Sequence, residues 1–262
     1  MRETHPEVYL IARPTVDWPG IKAYLDAVDG MDWYDRIANQ DSPDSEKLIE
    51  FMGRICYRSW APGLNPNVKK VRSDSTAYLE NILRSAHGSV LEHANYSFVF
   101  HNVSRVFTHE LVRHRAGVAI SQESLRYVRL TDVPFEHPEY VYSDPELLKA
   151  ANELIGAMEK FQELTVSATG IDEHGPGFHR KKVITSAARR YAPEGLATTI
   201  GWTANIRALR HIVALRTADG AETEIRRVFD LVAGILQNEL PTLFADFRRS
   251  ETGGWRPEYP KV

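Results

Sequence analysis

The chain holds a single cysteine, Cys56, among 262 residues. One thiol can form neither an intrachain disulfide nor a zinc–thiolate cluster, so the fold rests on packing, as in a reducing compartment. No apolar run approaches the about 20 residues needed to cross a membrane. Met1 to Glu7 carry no apolar stretch and are interrupted by Pro6, unlike a secretory signal. A cytoplasmic location with no membrane partner is expected. Basic charge is not in excess either: 32 Lys and Arg face 35 Asp and Glu, a net charge of -3. That argues against a general nucleic-acid binder. Repeats, low-complexity tracts and obvious linkers are also missing. What remains is 43% hydrophobic and 26% charged residues, an ordinary soluble composition with enough length for a core that needs no staples.

The apolar spacing predicts one α+β domain over residues 1–262, a mixed sheet packed by helices. Val8 to Ala12 reads as a short buried strand ended by Pro14. Residues 15–45, with Trp18, Pro19, Gly20, Trp33 and the run Asp41 to Ser45, read as a variable, loop-rich segment. Leu48, Ile49, Phe51, Met52 and Ile55 follow helical spacing. A second helix starts at the capping residues Asp74 or Ser75, buries Leu79, Ile82 and Leu83, and ends before Gly88. Ala94 to Phe100 alternates like a half-buried strand, and Val103 to Val112 is helical again. Asp144-Pro145 is a cap followed by proline at the first helical position. That helix is expected to bury Leu147, Leu148, Ala151, Leu154, Ile155, Met158 and Phe161. Further helices are expected near 177–190, 205–216 and 221–238, with a strand at Thr198 to Trp202.

The densest chemistry lies between Arg113 and Tyr127. Arg113-His114-Arg115 is followed by Ser121, Gln122, Ser124 and Arg126. Such a triplet at a helix end is commonly a solvated turn that complements the helix dipole. Here the polar side chains stand among Val118, Ala119, Ile120, Leu125 and Val128, and buried polar groups need partners. Guanidinium groups bind phosphate and carboxylate in a planar fork, so the cluster suits a nucleotide or a dinucleotide cofactor.

Three other clusters accompany it. His87-Gly88-Ser89-Val90-Leu91-Glu92-His93 reads as a polar turn lining a ligand, since its spacing matches no metal motif with a mechanical rationale. Ser186 to Pro193 carries Arg189 and Arg190. Trp202 to His211 places Arg207 and His211 four residues apart, on one helical face, with Asn205 at the helix start. A solvated basic face explains the last cluster equally well. Cys56 sits late in a helical pattern, the wrong end for a stabilised thiolate, and is expected to be a buried structural residue. A colourless nucleotide- or RNA-binding module stacking bases on Tyr127 and Trp202, and a metal-dependent hydrolase using His87, Glu92, His93 and His101, stand as alternatives.

Taken together, the four blocks resemble the flavin-dependent thymidylate synthases over about Arg54 to Phe247. Arg113, His114, Arg115, Ser124 and Arg126 match the signature; His87 through His93, Arg189 with Pro193, and Trp202-Thr203 with Asn205, Arg207 and Arg216 follow in family order. The resemblance implies a homotetramer with shared active sites, in which FAD takes hydride from NADPH. It further implies methylenetetrahydrofolate as methylene donor to C5 of a uridine monophosphate nucleotide. It matches Arg216 to the arginine that ionises the uracil and His87 to a histidine near the flavin, making these the catalytic candidates. Glu110, Arg113, Gln122, Glu123, Ser124, Leu125, Arg126, Arg189 and Arg216 become candidate substrate-binding residues. Ser89, Arg113, His114, Arg115, Gln122, Asn205, Arg207 and His211 become candidate cofactor-binding residues, with no metal required. Three departures fall in or beside the nucleotide loop. The eight residues between Arg115 and Ser124 are one more than is usual in the family, Glu110 stands where glutamine is common, and Glu123 replaces an apolar residue. A carboxylate can accept from a ribose 2′-hydroxyl, so these changes point to UMP as an alternative substrate to dUMP.

Overall fold

The structure, a computed structural model, describes residues 1–125, 132–171 and 177–262. In chain order its elements are β1 (Arg2–Glu3), β2 (Glu7–Ala12), α1 (Trp18–Ala27), α2 (Met31–Ile37), α3 (Asp44–Ile55) and α4 (Ser75–Arg84). A 3-10 turn at Gly88–His93 leads to β3 (Asn95–Ser104), α5 (Arg105–Leu111), β4 (Val118–Gln122), β5 (Pro134–Phe135), α6 (Glu139–Tyr142), α7 (Pro145–Thr169) and α8 (Phe178–Ala188). A second 3-10 turn at Arg189–Tyr191 precedes β6 (Ala197–Asn205), α9 (Ile206–Arg216), α10 (Thr223–Glu239), β7 (Phe247–Arg249) and β8 (Trp255–Pro257). The strands form a four-stranded sheet in the order β2-β3-β6-β4, a parallel pair β1-β5 and an antiparallel ribbon β7-β8. The α+β class expected from the sequence is what is found.

Two compact units share the chain. One comprises Met1–Tyr9, Val99–Arg113 and Ile120–Trp202; the other comprises Leu10–Phe98, His114–Ala119 and Thr203–Val262. In the second unit, Ile21, Leu25, Trp33, Ile37, Phe51 and Trp60 form one core cluster. Residues 15–45 are therefore not loop-rich. Pro19 opens α1 at a position that needs no N–H donor, and Ile21 with Leu25, then Trp33 with Ile37, recur at helical spacing and are buried. The Trp33 and Trp60 rings lie 5.6 Å apart, edge to face. Beneath them Arg54 is fully buried and paired with Glu50 at 2.8 Å, and Glu50 also accepts from Trp33 Nε1 at 2.8 Å. The charge of Arg54 is tolerated there because each of its guanidinium nitrogens finds a partner, in Glu50 and the carbonyls of Ser59 and Arg72. Asp74 caps α4 by accepting from the Ala77 amide at 2.6 Å. The helix ends at Ser85, with Ala86 at φ 55°, before Gly88 as expected. Cys56 is exposed, not buried, because it caps the C-terminus of α3 beyond the last inward-facing turn.

The same unit packs α9 on α10. Leu209, Ile212 and Val213 of α9, and Ile225, Val228, Phe229, Val232 and Leu236 of α10, are buried at i, i+3 and i+4 spacing. Arg210, on the buried side of α9, meets Asp246 in a two-pronged pair at 2.7 and 2.8 Å.

In the first unit, Phe100 packs edge-on to Phe107 at 5.4 Å and lies 5.8 Å from Trp202. Leu125, Val133, Ile155 and Leu196 form a separate core cluster. Asp144 caps α7 as expected, accepting from the amides of Glu146 and Leu147 at 2.9 and 3.1 Å. The expected burial along α7 is overturned: only Ile155 and Gln162 are buried, while Leu147, Leu154, Phe161 and Leu164 are exposed. Leu147, Leu154 and Phe161 repeat every seven residues, so they make a stripe facing out of the chain. The strand at Val8 to Ala12 is likewise an exposed one. It borders the sheet in β2, with Tyr9 and Ile11 outward.

Candidate active site

The second unit gathers most of the residues matched to cofactor positions. After α5 the chain turns through His114, Arg115 and Ala116 to Gly117, which sits at φ 70°. Only glycine adopts that conformation without strain. The Gly117 carbonyl accepts from the Asn205 amide at 3.0 Å, tying the turn to the start of α9. Asn205 caps that helix through Oδ1, which accepts from the Ala208 amide at 2.8 Å. A Cβ on Gly117 would stand 2.3 Å from Asn205 Nδ2. The basic turn and the helix start are therefore in closest contact at a residue without a side chain.

Two residues further along, in the first turn of α9, exposed Arg207 pairs with Glu92 at 2.6 Å. Gly88 is buried against it, and a Cβ there would come within 2.9 Å of Arg207 Nε. Ser89 is exposed beside Gly88. At the other end of α9, Arg216 Nε donates to His114 Nε2 at 2.8 Å, and the His114 and His211 rings meet edge-on at 6.3 Å. Burial, then the charge of Arg216, then His211, push the His114 imidazole down to about 4 from its ordinary 6.5, so it is neutral at pH 7. His114, His211, Arg216, Asn205, Arg207 and Ser89 thus lie on three linked elements: the turn after α5, the 3-10 turn at Gly88–His93 and α9. Arg115 is exposed on the first of these. His87 is half-buried and stacks on Tyr57, with ring centroids 6.3 Å apart at 21°.

The first unit holds the residues matched to nucleotide positions. Gln122 Nε2 donates to Thr108 Oγ1 at 3.3 Å, and the Glu123 amide donates to the Thr199 carbonyl at 2.9 Å, leaving the Glu123 side chain exposed. Glu110 and Ser124 are half-buried, and Arg113 is exposed. Leu125 points into the core beside Val133, Ile155 and Leu196, so only its backbone can face a ligand. Arg189 opens the 3-10 turn after α8 and is exposed. Arg126 lies outside the described residues, as does Tyr127. Among the described residues no three His, Cys, Asp or Glu side chains gather as a metal site, so His87, Glu92, His93 and His101 do not form a ligand set. None of the described helices is long and apolar enough to cross a membrane.

The family model described as "Thymidylate synthase complementing protein" matches residues 38–242. The chain is 34% identical over 222 residues to the flavin-dependent thymidylate synthase of Mycobacteroides abscessus, covering 83% of each chain. It is 37% identical over 210 residues to that of Mycobacterium avium, covering 79% of this chain and 81% of the other. The chain belongs to the flavin-dependent thymidylate synthase family. Its fold is also that of a UMP/dUMP methylase, PolB of Streptomyces cacaoi, in a structure bound with 5-Br UMP. That likeness has a TM-score of 0.62 at 16% identity, covering 94% of this chain and 95% of the other. A second PolB structure, bound with 5-Br dUMP, has a TM-score of 0.59 at 18% identity.

Within a flavin-dependent thymidylate synthase, the 38–242 match takes in every candidate site residue and leaves out β1, β2, α1, α2 and the β7-β8 ribbon. Two features escaped sequence reasoning. Glu92, weighed only as part of a metal turn, is the carboxylate partner of Arg207. Gly117, next after the basic triplet but for one alanine, is the contact that lets Asn205 approach. A glycine directly behind a donor cluster was the available signal, since close backbone approach is one of the few uses for which glycine is needed.

Proposed function

We propose that this chain catalyses flavin-dependent reductive methylation at C5 of a uridine monophosphate nucleotide, dUMP being the favoured substrate. Methylenetetrahydrofolate would give the methylene and NADPH the hydride, and both units would act as one catalytic domain. The observation that carries this reading is the placement of Arg216. Its guanidinium is fixed by a neutral histidine in the Arg113-His114-Arg115 signature, at the end of a helix whose start also carries family-matched residues. The donor set suits FAD. Arg115 and Arg207 offer guanidinium forks and Ser89 a hydroxyl, groups apt for a diphosphate. Gly88 has no side chain where Val262 and Arg207 pack against it, a Cβ there standing 2.3 Å from the Val262 backbone. When bound, the flavin supplies the redox chemistry, which no side chain here can perform.

The residues of the chain then have separate tasks. Arg216 stabilises negative charge on the pyrimidine as it develops, which makes C5 nucleophilic without a cysteine. Exposed Cys56, the C-cap of α3, is not asked to act. Arg189 and Arg126 bind the nucleotide phosphate, with Ser124, Gln122 and Glu123 beside them. His87, just before the 3-10 turn that carries Ser89, would help hold the flavin. The outward stripe of Leu147, Leu154 and Phe161 on α7 supports assembly with further copies of this chain, as a homotetramer. The work is assigned to the cytoplasm.

A second reading, UMP as substrate, is favoured by the lengthened loop between Arg115 and Ser124 and by Glu110, an acceptor for a 2′-hydroxyl. Sites built to pair a hydroxyl discriminate strongly. Tritium release from 5-tritiated dUMP and 5-tritiated UMP, side by side with FAD, NADPH and methylenetetrahydrofolate, separates the two. Release from dUMP alone supports the first reading, substantial release from UMP the second, and release from neither refutes both.

A further inference from the structure

The contact between Arg216 and His114 has a direction. A guanidinium only donates, so His114 Nε2, 2.8 Å from Arg216 Nε, must carry a lone pair and the ring proton must sit on Nδ1. A protonated imidazole has no lone pair to offer and would repel the arginine. Its surroundings keep it neutral: burial, Arg216 itself and His211 together hold its pKa near about 4. The two partners lie 102 residues apart in sequence, one in the turn after α5 and one in the last turn of α9. A bond at Nε pins the plane of the guanidinium near its stem. The fork made by the two Nη groups lies on another edge of that plane, the edge suited to paired acceptors.

We propose that His114 is a positioning residue for Arg216: its Nε2 accepts the Nε–H and fixes the plane of the guanidinium. The catalytic role of Arg216 rests on the function proposed above; the hydrogen bond and the tautomer do not. His211, edge-on to His114, restrains the ring from the helix side. His114 thus gains a role different from contact with the flavin, the role its place in the signature implied.

Two variants and one spectroscopic measurement test it. His114→Phe keeps a flat ring without an acceptor, whereas His114→Gln keeps an acceptor. For His114→Phe the expected result is a fall in kcat of about 10- to 100-fold, with KM for dUMP within about threefold, because orientation rather than binding is lost. His114→Gln should recover most of kcat, and both variants should match the parent in flavin content and melting temperature. A loss in His114→Phe that tracks lower flavin content, and that excess FAD cures, would overturn the proposal. So would a His114→Gln variant as slow as His114→Phe. Independently of turnover, nitrogen NMR of histidine-labelled protein should show His114 at pH 7 as the neutral Nδ1–H tautomer. Its pKa should rise toward the ordinary range in Arg216→Leu, since a cationic neighbour is then gone. An Nε2–H tautomer, or an unmoved pKa, refutes the pairing. A parent enzyme that turns over no uridine nucleotide refutes the function reading instead, and the tautomer still decides the pairing.

Discussion

Gly117 offers a direct test of how the signature turn is joined to α9. Replacing it with alanine has two separable costs. The first is backbone: a non-glycine residue held at φ 70° costs about 1–2 kcal/mol relative to a right-handed conformation. The second is steric. The new Cβ would stand 2.3 Å from Nδ2, 2.8 Å from Cγ and 2.9 Å from Oδ1 of Asn205, so rotating the amide cannot clear all three. Asn205 must leave its position, and with it goes the cap on the Ala208 amide, worth about 1 kcal/mol. Gly117→Ala should therefore destabilise by about 2–3 kcal/mol, a fall in melting temperature of roughly 4–12 °C for a protein of this size. Asn205→Ala alone loses only the cap, about 1 kcal/mol. In the double variant the steric conflict has already been removed, so the total should again be about 2–3 kcal/mol rather than the sum of the two singles. Denaturant unfolding of the four proteins measures the difference. Additivity within about 0.5 kcal/mol would refute the claim that the glycine is there to admit the Asn205 side chain.

The remaining predictions concern charge, pH and assembly. Asp246→Ala leaves Arg210, only 3% exposed, without its carboxylate. Stranding a buried charge costs about 3–5 kcal/mol, so calorimetry should show melting lowered by about 10 °C. His114 binds a proton less readily in the folded chain, about 4 against 6.5. Between those values the unfolded state holds more protons, so stability falls as pH drops from 6.5 toward 4. Screening at a half-buried site leaves about 1–2 kcal/mol of that dependence. His114→Gln should flatten this part of the stability–pH curve; an unchanged slope contradicts the assignment. Leu154→Asp, in the middle of the exposed α7 stripe, should lower the solution mass measured by light scattering while leaving helical content intact. An unchanged mass would remove α7 from the assembly.

Much of this molecule was legible before any coordinates, and the reason is local. A cap and the amides it serves lie within a few residues of one another. Asp74, Asp144 and Asn205 therefore announced the starts of α4, α7 and α9, and the structure has each of them accepting the expected backbone N–H. Hydrophobic spacing located α3, α9 and α10 for the same reason. The four ordered clusters named the family from residue identity alone. Where the reading failed, the missing information was which surface each element meets. The apolar residues of α7 have helical spacing whether they face a core or another molecule, so their exposure could not be read from the pattern. Pro19, Gly20 and the aspartate-rich run masked the two helices of residues 15–45, whose Trp33 finds Trp60 and Phe51 only in the folded chain. Sequence determined which residues carry the chemistry, because side-chain type is chemistry. Tertiary structure alone decided that His114 would accept from Arg216, that Arg207 would pair with Glu92, and that Gly117 would lie against Asn205. Those contacts join segments about 90 to 115 positions apart, and nothing local to either partner specifies the other.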